Sequence, residues 1–199
     1  MKPKLPRGLY AIADDQFGDP FQIGRDLLMA GVPTLQLRVK SWSTTERVRL
    51  GSALLPLAIE RGALLIMNDD LDAATELGVG LHLGQEDGQG EMARHRLGPN
   101  AILGRSTHTL QQISDLEPCF DYIGFGPMFS TQTKTTGYSP RGIPILQQAI
   151  AHSPVPIVAI GGITRTNLPT LRQTGVHAWA VISALSTTTV DPAEVATFL

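Results

Sequence analysis

Short apolar runs recur along the whole chain, and most are followed by a few polar residues and then by a segment with helical spacing. Most of these runs are apolar throughout rather than alternating, which is typical of strands that are covered on both faces. The pattern predicts eight strands, at residues 8–13, 34–38, 63–67, 80–83, 101–103, 121–125, 156–160 and 178–182.

Between and after these strands, helical spacing predicts helices at residues 21–30, 44–61, 71–77, 110–116, 143–151, 167–173 and 192–199. Thr44 or Thr45 is expected to cap the second helix, and Pro56 inside it favours a kink. Strands that alternate with helices in this way predict an α/β protein, a single (β/α)8 TIM barrel over residues 1–199, with residues 1–7 as a short N-terminal tail.

Composition narrows the class of protein. A chain of 199 residues with 42% hydrophobic content can bury one sizeable core. The net charge of −2 argues against a nucleic-acid partner. The single cysteine, Cys119, excludes an internal disulfide and favours a cytoplasmic location. The basic residues 1–7 precede no long apolar run, and no run is long enough to span a membrane, so neither a secretory signal nor a membrane anchor is expected.

Polar residues that could carry chemistry follow nearly every predicted strand. In chain order they are Gln36, Arg38, Lys40, Asn68, Asp69, Asp87, Ser106, His108, Thr131, Thr133, Lys134 and Ser183, and the glycines Gly161 and Gly162 follow the seventh strand. In a barrel of parallel strands, the carboxyl ends of all strands open on one face, where active sites are built. We therefore expect these side chains to gather on one rim.

The segment after the sixth strand has the groups that a phosphate or pyrophosphate needs. Gly124 and Gly126 carry no Cβ, so a ligand can approach the backbone. Thr131, Thr133 and Lys134 supply hydroxyls, backbone N–H groups and a cation. The alternative is a solvated polar loop.

Gln36, Arg38 and Lys40 alternate along the second strand, so their side chains share one face. Gln36 could hydrogen-bond the edge of a heterocycle, and the two cations could hold phosphate oxygens. The alternative is an arginine that reaches solvent from an edge strand. The chain has four lysines against twelve arginines, and Lys40 and Lys134 are the two lysines that follow strands closely.

Asp69 and Asp87 could together hold one Mg²⁺, which in proteins takes one or two carboxylates, waters and substrate phosphates. The alternatives are that Asp69 or Asn68 caps the helix at 71–77, and that Asp87 is an ordinary loop residue. His108 could orient or protonate a substrate, or cap the next helix.

Eight short pieces run in order from residue 9 to residue 184. They are Leu9 and Tyr10 with Asp14, Gln-Leu-Arg-Val-Lys at 36–40, Asn-Asp-Asp at 68–70, His-Leu-Gly-Gln-Glu-Asp at 82–87, Gly-Arg-Ser-Thr-His-Thr at 104–109, Gly-Pro at 126–127 with Thr-Gln-Thr-Lys at 131–134, Ala-Ile-Gly-Gly-Ile-Thr at 159–164 with Asn167, and Val-Ile-Ser-Ala at 181–184. In this combination the chain resembles the thiamine phosphate synthase family.

The resemblance implies a transferase that joins 4-amino-5-hydroxymethyl-2-methylpyrimidine diphosphate to a thiazole phosphate, giving thiamine monophosphate and pyrophosphate. It implies small-molecule substrates and allows a homodimer. By the same resemblance, the pyrimidine and pyrophosphate are bound by Gln36, Asn68 and Ser106, and the pyrophosphate is clamped by Arg38, Lys40, Thr131, Thr133 and Lys134. The resemblance also implies that Mg²⁺ is bound by Asp69 and Asp87. The thiazole phosphate is then bound by Gly162, Ile182 and Ser183. Lys134, Ser106 and Arg38 are the implied catalytic residues.

The mechanism that the resemblance implies is dissociative. Pyrophosphate leaves first, the aminopyrimidine ring delocalises the cation, and the thiazole nitrogen then attacks. Such a reaction needs charge neutralisation on the leaving group and a fixed second substrate, but no protein nucleophile.

Three residues depart from the family pattern. Val39 stands where an acid is usual, and its side chain is expected to point away from Gln36 and Lys40. His177 and Trp179 replace smaller or acidic residues, and the sequence leaves open whether Trp179 narrows the thiazole site.

Two other functions remain open. A thiazole tautomerase of the TenI type shares the barrel and the Ser106 and His108 pair, although Asp87 and Lys134 favour the synthase. A non-catalytic barrel that binds a phosphate ligand is the other alternative.

Overall fold

The computed structural model describes residues 4–131, 137–185 and 189–199, and within them eight parallel strands close into one barrel in chain order. The strands are β1 Gly8–Asp14, β2 Thr34–Arg38, β3 Leu64–Asn68, β4 Gly80–Leu83, β5 Leu103–Thr107, β6 Tyr122–Phe125, β7 Ile157–Ile160 and β8 Ala178–Val181. Strand β8 pairs with β1 and completes the barrel. The predicted (β/α)8 TIM barrel is confirmed.

The helices are α1 Pro20–Met29, α2 Thr44–Glu60, α3 Leu71–Leu77, α4 Gly90–Leu97, α5 Leu110–Ser114, α6 Gly142–His152, α7 Leu168–Arg172 and α8 Pro192–Phe198. The sequence pattern does not predict α4. That helix buries Gly90 and Ala93 and has no stripe of large apolar residues, so helical periodicity cannot reveal it. In the described part of the chain, no helix is both long and apolar enough to cross a membrane.

The start of α2 differs from the predicted one. Ser43, rather than Thr44 or Thr45, is the N-cap, and it forms a capping box with Glu46. The Ser43 hydroxyl accepts from the Glu46 backbone N–H, and the Glu46 carboxylate accepts from the Ser43 backbone N–H in return. Helix α2 then runs through Pro56 to its end at Glu60.

The largest error in a strand boundary concerns β5, which begins at Leu103, where the predicted strand ended. Ser106 therefore lies inside the strand rather than after it. The second half of β5 is polar because Ser106 lines the cavities and its neighbours Arg105 and Thr107 donate to backbone carbonyls, so a search for apolar runs stops too early.

Two apolar cores lie on opposite faces of the sheet. The outer core lies between the strands and the helices, and the inner core fills the barrel around Tyr10, Ile66 and Tyr122. Leu5 is buried against the inner core from below, and the His177 Nε2–H donates to the Leu5 carbonyl at 2.9 Å. His177 therefore lies at the end of the barrel opposite the predicted site.

Val39 and Trp179 both belong to the outer core. Val39 points away from the inward face of β2, as expected. The Trp179 indole N–H donates to the Phe198 carbonyl at 2.9 Å, and the Arg172 guanidinium lies over its ring. Because the indole packs beneath α8, it does not narrow the interior of the barrel.

Thr34 gives a test of the inner packing. Its hydroxyl is buried and has no hydrogen-bond partner in the described part of the chain. We expect Thr34→Val to raise the free energy of unfolding by about 1 kcal/mol, because it removes an unsatisfied polar group without leaving a cavity. Urea unfolding measures this change.

The matched control is Thr45→Val, at an exposed position of α2, which should change the free energy by less than about 0.5 kcal/mol. Destabilisation by Thr34→Val would show that the hydroxyl makes a favourable contact.

Candidate active site

Two adjoining cavities open where the strands end. The smaller, of about 60 Å³, lies in the mouth of the barrel, and the larger, of about 520 Å³, lies above β5 to β8. The residues that line both are Ser106, Gly124, Ile160, Ala180 and Ile182. The two cavities are therefore separated by no more than these shared residues.

The structure brings most of the predicted residues to these cavities. The smaller cavity is lined by Gln36, Arg38, Asn68, Ser106 and Ile182 from the predicted set. The larger is lined by Ser106, His108, Thr131, Gly161, Gly162, Ile182 and Ser183 from that set. The predictions for Thr133 and Lys134 fall outside the described residues.

Arg38 is held by a buried partner that the sequence did not single out for a role. Its guanidinium donates to the carboxylate of Asp14, which is fully buried at the end of β1. The other Asp14 oxygen accepts from the Gln16 backbone N–H at 3.0 Å. The alternative in which Arg38 reaches solvent from an edge strand is wrong, because β2 lies between β1 and β3 in a closed barrel. Arg38 is thus fixed before any ligand arrives.

The two predicted metal ligands are hydrogen-bonded to each other. Burial and the neighbouring Asp69 raise the pKa of Asp87. Burial opposes ionisation of Asp69 as well, but hydrogen bonds from Asp87 and Lys40 hold its pKa below the usual value. The two carboxyl groups therefore titrate as a coupled pair, in which Asp69 loses its proton before Asp87 does.

Two further contacts position this pair. The Lys40 ammonium lies 3.2 Å from Asp69, and the Gly84 backbone N–H donates to Asp87 at 2.9 Å. Asp69 itself has a φ of 63°, which is uncommon for a residue with a side chain and is typical of functional sites. Lys40, Asp69 and Asp87 thus form one cluster at the ends of β2, β3 and β4.

The helix-cap alternative for Asp69 and Asn68 is wrong. Asp70 is the N-cap of α3, where its carboxylate accepts from the Ala73 backbone N–H at 2.9 Å. Arg47 also donates to Asp70, at 2.8 Å. Because Asp70 caps α3, the Asp69 side chain is not needed as a helix cap and can face the rim.

Glycines allow the close packing around the larger cavity. Gly162 has a φ of 66°, and a Cβ there would lie 2.5 Å from the Ser130 carbonyl oxygen. A Cβ on Gly126 would lie 2.0 Å from the Ile160 carbonyl oxygen. The segments after β6 and β7 can approach this closely only without side chains at these positions, and their backbone groups then surround the cavity.

His108 faces the larger cavity rather than capping α5 with its side chain. Its Nδ1–H donates to the Gly126 carbonyl at 2.7 Å, and its ring stacks on Tyr138 at 4.5 Å. Thr109 is the N-cap of α5, in a capping box with Gln112. The carbonyl contact fixes a neutral His108 as the tautomer that carries its proton on Nδ1.

Sequence reasoning missed a line of side chains beneath the smaller cavity. Gln36 contacts the Tyr10 hydroxyl at 2.8 Å, Tyr10 contacts the Tyr122 hydroxyl at 2.8 Å, Tyr122 contacts Nδ1 of His82 at 2.9 Å, and Nε2 of His82 contacts Ser106 at 2.9 Å. We call these five residues the buried hydrogen-bond chain. The sequence did contain a sign of this chain, because His82 is a polar residue at an inward position of β4, whose other residues are apolar or glycine.

The chain is similar to known proteins over most of its length. The family model described as thiamine monophosphate synthase matches residues 9–185. The thiamine-phosphate synthase of Vibrio parahaemolyticus is 39% identical over 181 residues, which cover 89% of each chain. That of Synechococcus sp. strain CC9605 is 44% identical over 161 residues, covering 79% of this chain but 45% of the relative, so the chain spans less than half of that protein.

Among solved structures, thiamine phosphate pyrophosphorylase from Pyrococcus furiosus superimposes with a TM-score of 0.87 at 30% identity, covering 96% of this chain and 93% of the other. The similarity therefore extends over the barrel and its rim.

The buried pair of Asp14 and Arg38 gives a prediction about stability. Asp14→Asn leaves the Arg38 guanidinium buried without a counter-charge, so we expect the free energy of unfolding to fall by about 3 kcal/mol. The control is Asp26→Asn, the same change in the exposed pair of Asp26 with Arg25, which should cost less than about 1 kcal/mol. Urea unfolding compares the two variants, and equal losses would contradict a special role for the buried pair.

Proposed function

The chain belongs to the thiamine monophosphate synthase family, and we propose that it joins 4-amino-5-hydroxymethyl-2-methylpyrimidine diphosphate to a thiazole phosphate. The products are thiamine monophosphate and pyrophosphate. The resemblance found in the sequence is confirmed by the family match over residues 9–185 and by relatives that are 39–44% identical.

The observation that carries the proposal is the pair of adjoining cavities that share Ser106 in their lining. A reaction between two substrates needs two sites that meet where the new bond forms. The smaller cavity offers Gln36 and Asn68 to a ring edge and Arg38 to an anion, and the larger cavity offers Gly162 and Ser183 to a phosphate. In this arrangement the methylene carbon of the pyrimidine meets the thiazole nitrogen near Ser106.

The cationic residues act on the leaving group. Arg38 and Lys40 bind the diphosphate, together with Thr131, Thr133 and Lys134 from the segment after β6. Arg38 loses little side-chain freedom when it binds, because Asp14 already holds it. Groups that are fixed in advance stabilise the charge that develops on departing pyrophosphate at little reorganisation cost.

Asp69 and Asp87 fit a Mg²⁺ site. Two carboxylates close enough to share a proton form a site that a divalent cation can occupy in place of that proton. The ion would neutralise part of the diphosphate charge. Lys40 contacts the same Asp69 and so places a second positive charge beside the leaving group.

A TenI-type thiazole tautomerase is the second candidate, and Ser106 and His108 in the larger cavity fit it as well as they fit the synthase. That reaction uses no diphosphate, so it would leave Arg38, Lys40 and the two aspartates without a purpose. A non-catalytic barrel is the third candidate. Cytoplasmic location and a homodimer remain predictions.

The synthase is tested by supplying both substrates with Mg²⁺ and measuring the products. We expect one pyrophosphate for each thiamine monophosphate. Lys40→Ala and Lys134→Ala should each lower kcat by roughly 10²-fold, the scale for loss of one electrostatic stabiliser. The exposed Lys4→Ala is the control and should behave like the wild type.

Isomerisation of the thiazole carboxylate phosphate without pyrophosphate release would favour the tautomerase instead. Tight binding of the diphosphate without turnover would favour the non-catalytic barrel.

The metal proposal is tested by removing and restoring divalent ions. Activity should disappear in EDTA and return with Mg²⁺ or Mn²⁺. Equilibrium dialysis with Mn²⁺ gives a second readout, in which Asp87→Asn should weaken binding by at least about tenfold because one of two charged ligands is lost. Glu86→Gln is the control, since it neutralises the adjacent exposed carboxylate. Full activity after exhaustive chelation would refute the proposal.

A further inference from the structure

One arginine of α2 ties together the two segments that carry Lys40 and Asp69. Arg47 lies near the start of α2, and its side chain is 19% exposed. Its Nε–H donates to the Val39 carbonyl at 3.0 Å, and its Nη2 group donates to the Lys40 carbonyl at 3.1 Å. Its Nη1 group donates to the Asp70 carboxylate at 2.8 Å. The guanidinium thus spans the segments that follow β2 and β3.

Asp70 anchors this connection on the β3 side. Its side chain is buried, and besides Arg47 its carboxylate accepts from the Thr44 hydroxyl at 2.9 Å and from the Ala73 backbone N–H at 2.9 Å. The first of these donors belongs to α2 and the second to α3. The carboxylate is therefore fixed from three directions, and Arg47 supplies the charged partner among them.

The backbone at Asp69 is in a conformation that its neighbours must maintain. A φ of 63° is unfavourable for a residue with a Cβ, so it persists only where surrounding contacts fix it. The Asp69 N–H donates to the His82 carbonyl at 2.8 Å, and the Asp70 N–H donates to the Asn68 carbonyl at 2.8 Å. Because Arg47 holds the Asp70 side chain, it is one of the contacts that set the direction of the Asp69 carboxylate.

The contacts on the β2 side fix the backbone from which Lys40 extends. The Lys40 side chain is 47% exposed, and its ammonium reaches Asp69 at 3.2 Å. A long exposed side chain loses less freedom in such a contact when its own backbone is already held. Arginine suits this role because its guanidinium carries five N–H donors in a rigid plane, whereas a lysine ammonium on a flexible stem cannot bind two carbonyls and a carboxylate at these positions.

We propose that Arg47 is a positioning residue that sets the geometry of Lys40 and Asp69 for a divalent cation and for the diphosphate. Within the described part of the chain, Arg47 is not among the residues that line either cavity, so it acts through these two residues rather than on a substrate. Its role in the reaction rests on the proposed function, whereas its effect on the geometry of the rim does not.

A second arginine provides a matched control, because it ties segments together in the same way at the opposite end of the barrel. Arg94 of α4 donates to the Cys119 and Ala101 carbonyls at 2.9 and 2.8 Å and to the Asp121 carboxylate at 2.6 Å. Its side chain is 17% exposed, close to the value for Arg47. These partners precede β5 and β6, so they lie away from the rim. Replacement of either arginine by methionine keeps an unbranched stem and removes the guanidinium.

The geometric part is tested by hydrogen exchange at single amides, measured by NMR on the full-length protein without metal or substrate. In Arg47→Met, the amides of Asp69 and Asp70 should exchange about tenfold faster than in the wild type, because the hydrogen bonds that they donate open more often once a charged contact is lost. In Arg94→Met, the Asp121 amide should show this acceleration instead. Unchanged exchange at Asp69 and Asp70 in Arg47→Met, or equal acceleration there in both variants, would overturn the proposal.

The functional part is tested by Mn²⁺ binding and by kinetics with Mg²⁺. In equilibrium dialysis, Arg47→Met and Arg47→Lys should each weaken Mn²⁺ binding by about tenfold, the scale for loss of a group that orients a metal ligand. KM for the pyrimidine diphosphate should rise in both variants. KM for the thiazole phosphate should stay at the wild-type value, because the predicted site of that substrate lies at the ends of β7 and β8.

This difference between the two substrates separates positioning from a general loss of structure, which would affect both alike. Arg94→Met should leave Mn²⁺ binding and both KM values unchanged even if its stability falls. Wild-type Mn²⁺ affinity and an unchanged KM for the diphosphate in both Arg47 variants would overturn the proposal. Absence of turnover by the wild type would refute the proposed function, while hydrogen exchange would still decide whether Arg47 sets the geometry of the rim.

Discussion

The limited space inside an eight-stranded barrel is the constraint on which this structure depends. Such a barrel has room for one set of inward side chains, so polar groups placed there find their partners among the others, and in the described residues the Thr34 hydroxyl is an exception. Asp14 and Arg38 meet this requirement as an ion pair, and Tyr10 and Tyr122 meet it within the buried hydrogen-bond chain. Inward polar residues are therefore organised by one another before any ligand binds.

The same constraint explains why small residues accompany large ones. Tyr122 of β6 fits inside the barrel because its register partner on β5 is Gly104. Ala178 and Ala180 on β8 are likewise small inward residues, and the larger cavity opens above that strand. Where inward side chains are large the barrel is filled, and where they are small it leaves space for ligands.

Charge is distributed in a corresponding way. The cluster of Lys40, Asp69 and Asp87 lies at the outer edge of the rim, where solvent and ions can reach it. Arg38 lies deeper and is neutralised by Asp14, so it can be buried without a prohibitive desolvation cost. A diphosphate at this rim would thus meet Arg38, a buried cation held in place by Asp14, and Lys40, an exposed cation that can change its conformation.

The sequence by itself determined the barrel, its strand order and the rim on which Gln36, Ser106 and Ser183 lie, because strand periodicity and chain direction are local properties. It did not determine α4, the start of β5, or the roles of Asp14, Tyr10 and His82. Those roles depend on which inward side chains become neighbours across the barrel. Contacts such as the one between Tyr10 and Tyr122 join residues 112 positions apart, so only closure of the tertiary structure decides them.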